Sequence, residues 1–172
     1  MTGGIMLSTD HAPTVAIIGS FRQFYEQVLD AWQKISASGI AITSPLGSRI
    51  ITAGVPFVRF ESDDEALDDA MVQTLALHRI LRADLVYVVA PFGYVGRTTC
   101  YEIGRILQAG KSIYFSEFPK DLPVRVSPDR VTTPTQLINL VIHKEIHPLY
   151  VDEQGSHAEW ERRLLAGDYL DT

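Results

Sequence analysis

The chain has 172 residues, 46% hydrophobic and 21% charged, with 15 basic against 21 acidic side chains and a net charge of -6. That length fits one domain with a sizeable core, and the acidic balance argues against broad attraction to a nucleic acid polymer or an anionic membrane, while a local arginine cluster can still hold a small anion. No apolar run reaches the roughly 18 residues of a membrane span, and the single cysteine, Cys100, excludes an internal disulfide and a cysteine metal cage.

Met1 to Ala12 has neither the basic start nor the long apolar centre of a signal peptide, so residues 1–13 read as a flexible tail and the expected location is cytoplasmic. Val15 to Ile18 is a short apolar run ended by Gly19-Ser20. The segment from Phe21 to Ser38 then carries Phe24, Val28, Leu29, Trp32 and Ile35 at helical spacing. Gly39 closes that helix, and Ile40 to Thr43 reads as a second strand ended by Ser44-Pro45. Two strands separated by a helix favour parallel pairing.

Residues 45 to 60, "PLGSRIITAGVPFVRF", match neither period and read as a long loop or small hairpin. The acidic run "ESDDEALDD" suits the first turn of a helix that continues through Met71, Leu75, Leu77, Ile80 and Leu81. Leu85 to Ala90 is continuously apolar, as in a central parallel strand buried on both faces. A helix is expected from near Thr98 to about Ala109, with Gly110-Lys111 as its ending, and Ser112 to Ser116 as a fourth strand. "DRVTT" suggests a short fifth strand, and "PTQLINLVIHKEI" a helix with Pro134 in its first turn. The alternation predicts an α/β domain over residues 14–147: a flavodoxin-like or Rossmann-like, mostly parallel sheet of about five strands with helices on both faces. Residues 148–172, with "SHAEWERRLL", form an extension expected to be helical and to pack on the body or on a neighbouring subunit.

In such a sheet ligands bind where loops diverge at the carboxyl ends of the strands. Three loops are expected to meet there: "GSFRQFY", "SPLGSRI" and "APFGYVGRTT". Gly19, Gly93 and Gly96 let backbone approach a ligand, and Ser20, Thr98 and Thr99 stand near helix starts, whose free N–H groups attract phosphate or carboxylate. Thr98, Thr99 and Glu102 share one helix face, so an anion at the helix start lies about one turn from the carboxylate. Phe21, Phe92 and Tyr94 offer flat surface for a base or sugar, and Arg22, Arg49 and Arg97 are candidate phosphate partners. Tyr101 or His78 is a candidate to orient or titrate a neighbouring group.

Each residue also has a plain structural reading. Glu102 in a second turn can be a solvated partner of the helix dipole, His78 an ordinary helix residue, Cys100 packing, and Asp84 a cap at the far end of its strand. "GYVGRTT" lacks the lysine of a phosphate loop, "GSFRQF" lacks the three-glycine dinucleotide fingerprint, there is no Gly-x-Ser-x-Gly elbow, and no metal-ligand spacing is recognisable.

Together, "VAIIGSFRQFY", "LHRILRADLVYVVAPFG" and "TTCYEIGRILQAGKSIYFSE" resemble the nucleoside 2-deoxyribosyltransferase superfamily, which includes nucleoside 5'-monophosphate N-glycosidases, over about residues 14 to 117. The most specific part is Glu102-Ile103-Gly104 with Gly110-Lys111 and the following strand. The resemblance implies cleavage between C1' of a sugar and a nucleobase, with Glu102 as nucleophile or stabiliser of an oxocarbenium-like sugar. It implies no cofactor, a small nucleotide or nucleoside as ligand, and a homo-oligomer, a dimer or larger. Thr98 and Thr99 correspond to hydroxyls that hold a 5'-phosphate, and Phe21-Arg22 matches the same group.

Gly93, Tyr94, Val95 and Gly96 stand where relatives carry an aspartate pair, so the acid that protonates the base is unassigned; His78, near another acidic position, and Tyr94 are its candidates. The ending "GDYLDT" offers no equivalent of the transferases' C-terminal asparagine, which favours hydrolysis over transfer. Two other expectations stand beside this one: a non-catalytic nucleotide-binding sensor or assembly module of the same fold, and an unrelated flavodoxin-like domain holding a flavin or another phosphate.

Overall fold

The computed structural model describes residues 12–47, 50–52, 59–147, 150–151 and 155–168. Most of the expected N-terminal tail, Arg49 and the end of the chain therefore lie outside the described residues.

Four parallel strands form the sheet: β1 (Thr14–Gly19), β2 (Ala41–Ser44), β5 (Leu85–Val89) and β6 (Ser112–Phe115), in the order β2-β1-β5-β6. This is a flavodoxin-like or Rossmann-like arrangement in which β1 and β5 are central, paired in register from Val15 with Leu85 to Gly19 with Val89. All five residues of β5 are buried, so each apolar side chain there contributes on the order of 1.5–3 kcal/mol relative to exposure.

The period of two along the strands divides the core into two layers. Val15, Ile17, Leu85, Tyr87 and Val89 face α1 (Tyr25–Ala37) and α4 (Pro134–Ile142) through Val28, Ala31, Ile35, Leu137 and Val141. Ala16, Ile18, Val86 and Val88 face α2 (Asp69–Arg82) and α3 (Arg97–Gln108) through Ile80, Ile103 and Ile106. Ala158 of α5 (Ser156–Leu165), with Tyr150 and Val151, is buried in this second layer, so the described part of the C-terminal extension packs on the body.

Several element boundaries differ from expectation for local reasons. The first helix starts at Tyr25 rather than Phe21, because Ser20 O accepts from the N–H groups of Gln23 and Phe24 (3.2 and 2.8 Å) and closes a turn before it. Residues 45 to 60, expected as a loop or small hairpin, do contain a small antiparallel hairpin, β3 (Ile50–Thr52) with β4 (Arg59–Phe60). Most of the acidic run precedes α2: Asp63 accepts from Phe60 N (2.8 Å), Asp64 from Ala66 N (2.9 Å), Asp68 caps the helix by accepting from Met71 N (2.8 Å), and only Asp69 lies in its first turn. Asp63 and Asp64 thus make their own turns, the usual competition of Asp with helix. The expected fifth strand reduces to a single parallel bridge between Val131 and Phe115, because Pro128–Arg130 forms a 3-10 turn.

Asp84 acts at the amino end of the sheet. Its Oδ2 accepts from Thr14 N (2.7 Å) and Thr14 Oγ1 (2.8 Å), which ties the start of β1 to that of β5. No helix among the described residues is long and apolar enough to cross a membrane.

Candidate functional site

A cavity of about 490 Å³ opens at the carboxyl ends of β1 and β2, within the size range of small-molecule sites. Its walls come from four places. The β1–α1 turn gives Gly19, Ser20, Phe21, Arg22 and Gln23, and the end of β2 gives Ser44, Pro45 and Leu46. Phe60 ends β4 and Ser62 and Asp63 follow it, with Val72, Ala76, Arg79 and Ile80 on the facing side of α2. The start of α3 closes the site with Tyr94, Gly96, Arg97, Thr98, Thr99 and Glu102. The connection after β1 runs outward to β2 and that after β5 runs the other way to β6, which opens the crevice between β1 and β5 at this end.

The amino end of α3 is open for an anion. Gly96 is its N-cap and supplies no side-chain cap, so the N–H groups of the first turn keep their capacity for a ligand. Thr99 is buried and Thr98 half-buried against this turn, whereas Arg22 and Arg97 are exposed side chains lining the cavity. Neither arginine has a hydrogen-bond or ion-pair partner among the described residues. Two uncompensated cations beside a helix start make a local positive site on a chain of net charge -6.

Glu102 lies one turn further along α3, half-buried in the cavity wall. Burial pushes its carboxyl up from about 4.5 to about 7, with no opposing hydrogen bond or charge. The group therefore exists in both protonation states near neutrality and can give or take a proton or meet a developing positive charge. The reading of Glu102 as a solvated dipole partner does not fit this placement.

Aromatic side chains frame the same space. Phe21 and Phe60 meet edge to face with ring centroids 4.9 Å apart, and Tyr94 lies on the wall with its ring 5.7 Å from that of Phe24. Phe92 is displaced: it is 73% exposed, has a positive φ of 59°, and is not part of the cavity wall.

Other candidates separate from the site as well. His78 is on the exposed side of α2, while Val72, Ala76, Arg79 and Ile80 carry the face turned to the cavity. A shift of one residue on a helix turns a side chain by about 100°, which is the reason Arg79 enters and His78 does not. Tyr101 is exposed and its hydroxyl accepts from Arg105 Nη1 (2.9 Å). Gly93 is buried and is not part of the cavity wall: a Cβ there would lie 2.5 Å from Phe118 O, so the glycine makes room for backbone and not for a ligand. Cys100 is half-buried, with Sγ 3.7 Å from Val95 O, and burial raises its pKa, as suits packing.

Sequence reasoning passed over Asp63 and Arg79. They form an ion pair across 3.8 Å, with the Asp63 side chain 8% exposed. Both line the cavity. The helical spacing of Val72, Ala76 and Arg79 was a usable signal for Arg79; for Asp63 no signal separated it from its acidic neighbours. Among the described residues no three His, Cys, Asp or Glu side chains gather at metal-binding distance. Comparison with models of protein families, with curated proteins and with solved structures finds no match to this chain.

Proposed function

We propose that this protein cleaves the N-glycosidic bond of a nucleoside 5'-monophosphate or nucleoside, by hydrolysis, in the manner of the nucleoside 2-deoxyribosyltransferase superfamily that its sequence resembles. The observation that carries this reading is Glu102: a carboxyl with no hydrogen-bond or ion-pair partner among the described residues, raised to about 7, on the wall of a cavity, one turn from an open helix start. The phosphate rests on the first turn of α3 between Arg22, Arg97 and Thr98, which directs the sugar toward Glu102. As the bond between C1' and the base breaks, its electron pair leaves with the base and positive charge grows on the sugar. The ionised form of Glu102 stabilises or traps it until a water molecule adds to C1' and releases a proton, which completes the hydrolysis. Tyr94, on the same wall, offers its hydroxyl to the departing base.

The test is release of free base from a panel of ribo- and deoxynucleotides by the protein and by Glu102→Gln, followed chromatographically. Loss of product with an unchanged fold is expected. Turnover equal to the parent protein by Glu102→Gln removes the mechanism.

A non-catalytic nucleotide-binding module is the second reading, and one observation favours it. Asp63, the other carboxyl on the wall, faces two donors, Phe60 N and Arg79, and so is set to accept hydrogen bonds and not to protonate a leaving base. Stabilisation by nucleotides with no product across the panel would select this reading.

A further inference from the structure

The Asp63 side chain is 8% exposed, yet it lines the cavity, and its two oxygens are used unequally. Oδ2 accepts from Phe60 N at 2.8 Å, which fixes the carboxylate in place. Oδ1 faces Arg79 Nη1 at 3.8 Å, beyond hydrogen-bond length, so it retains capacity to accept. A nearly buried acceptor with an unused lone pair gains from a donor on a ligand and is penalised by another acceptor.

Charge decides which part of a nucleotide can lie there. A phosphate is repelled by Asp63 and drawn to the unpaired Arg22 and Arg97 beside the start of α3. Phe21 and Phe60, in edge-to-face contact on the cavity wall, leave an apolar surface next to the Asp63 turn for a flat ring. Resting on the nucleotide reading above, we infer that Asp63 reads the base: Oδ1 accepts a hydrogen bond from an exocyclic amino group, so the site favours amino-bearing bases over their keto counterparts.

The test is equilibrium binding by titration calorimetry on a Glu102→Gln background, with two pairs of monophosphates that exchange one amino group for one keto oxygen: cytidine against uridine, and adenosine against inosine. Tighter binding of the amino member by about tenfold or more in at least one pair is expected. Adding Asp63→Asn keeps an oxygen for Phe60 N and turns an NH₂ toward the ligand, and it should abolish or reverse the preference.

Equal binding within both pairs, or preference for the keto members, overturns the inference while leaving the nucleotide reading intact. An unchanged amino preference in a folded Asp63→Asn protein overturns it too. Absence of binding by all four nucleotides removes both. If Asp63→Asn does not fold, the two pair comparisons in the Asp63 protein decide alone.

Discussion

A methyl group on Gly19 would lie 2.7 Å from the carbonyl oxygen of Val89, its in-register neighbour on β5. Gly19 lines the cavity, but its side is closed by the adjacent strand, so the absence of a side chain serves sheet packing at the end of β1. Gly19→Ala is expected to destabilise the fold by about 1–3 kcal/mol through overpacking. Chemical denaturation measures it, and a midpoint equal to the parent's would contradict the close approach.

Gly93→Ala meets two obstacles at once, a φ of +77° and a Cβ 2.5 Å from Phe118 O. The expected loss is roughly 2–4 kcal/mol, from the left-handed backbone together with the clash. Because Gly93 is not part of the cavity wall, ligand affinity measured on the folded fraction should stay close to the parent value.

The raised pKa of Glu102 has a signed consequence for stability. Between about 4.5 and about 7 the folded chain holds a proton that the unfolded chain has released, so stability falls as pH rises through this window and this contribution levels off above it. The total is on the order of 2–3 kcal/mol, allowing for solvent in the cavity. Glu102→Gln cannot titrate and should lack this slope, becoming more stable than the parent at pH 8. Melting temperatures of both proteins across pH 4 to 8 check it; parallel curves would place Glu102 in ordinary solvent.

Arg22→Ala and Arg97→Ala should each weaken a nucleoside monophosphate by roughly tenfold or more, as expected for loss of a charge-assisted contact, and leave the matching nucleoside nearly unaffected. Both side chains are exposed, so stability should change little. Equal losses for nucleotide and nucleoside would argue against a phosphate at the start of α3.

At the far end of the sheet, Asp84→Ala removes the acceptor for Thr14 N and Thr14 Oγ1. A loss of about 1–3 kcal/mol is expected because a part-buried N–H is left without that acceptor. The proposed base release should persist in the folded protein, since the cavity lies at the other end of the strands.

Local signals were enough for the parallel α/β plan. The unbroken apolar run Leu85 to Ala90 could only be a strand covered on both faces, and Gly39 and Gly110, both at positive φ, end their helices where expected. They also placed Glu102 on the same helix face as Thr98, because spacing along one helix is a property of the chain itself. Where side chains made their own hydrogen bonds, as Asp63 and Asp64 do, the acidic run could not be distinguished from a helix start, since composition is the same in both.

The sequence by itself determined the strand and helix order, the crevice end of the sheet, and the residues that share the first turns of α3. Only the tertiary structure decided that Arg79 and not His78 enters the cavity, that Gly19 and Gly93 yield to neighbouring backbone, and that Asp63 arrives from a turn after β4. The physical reason is that these depend on which surfaces meet across long separations in sequence, and no local period carries that information.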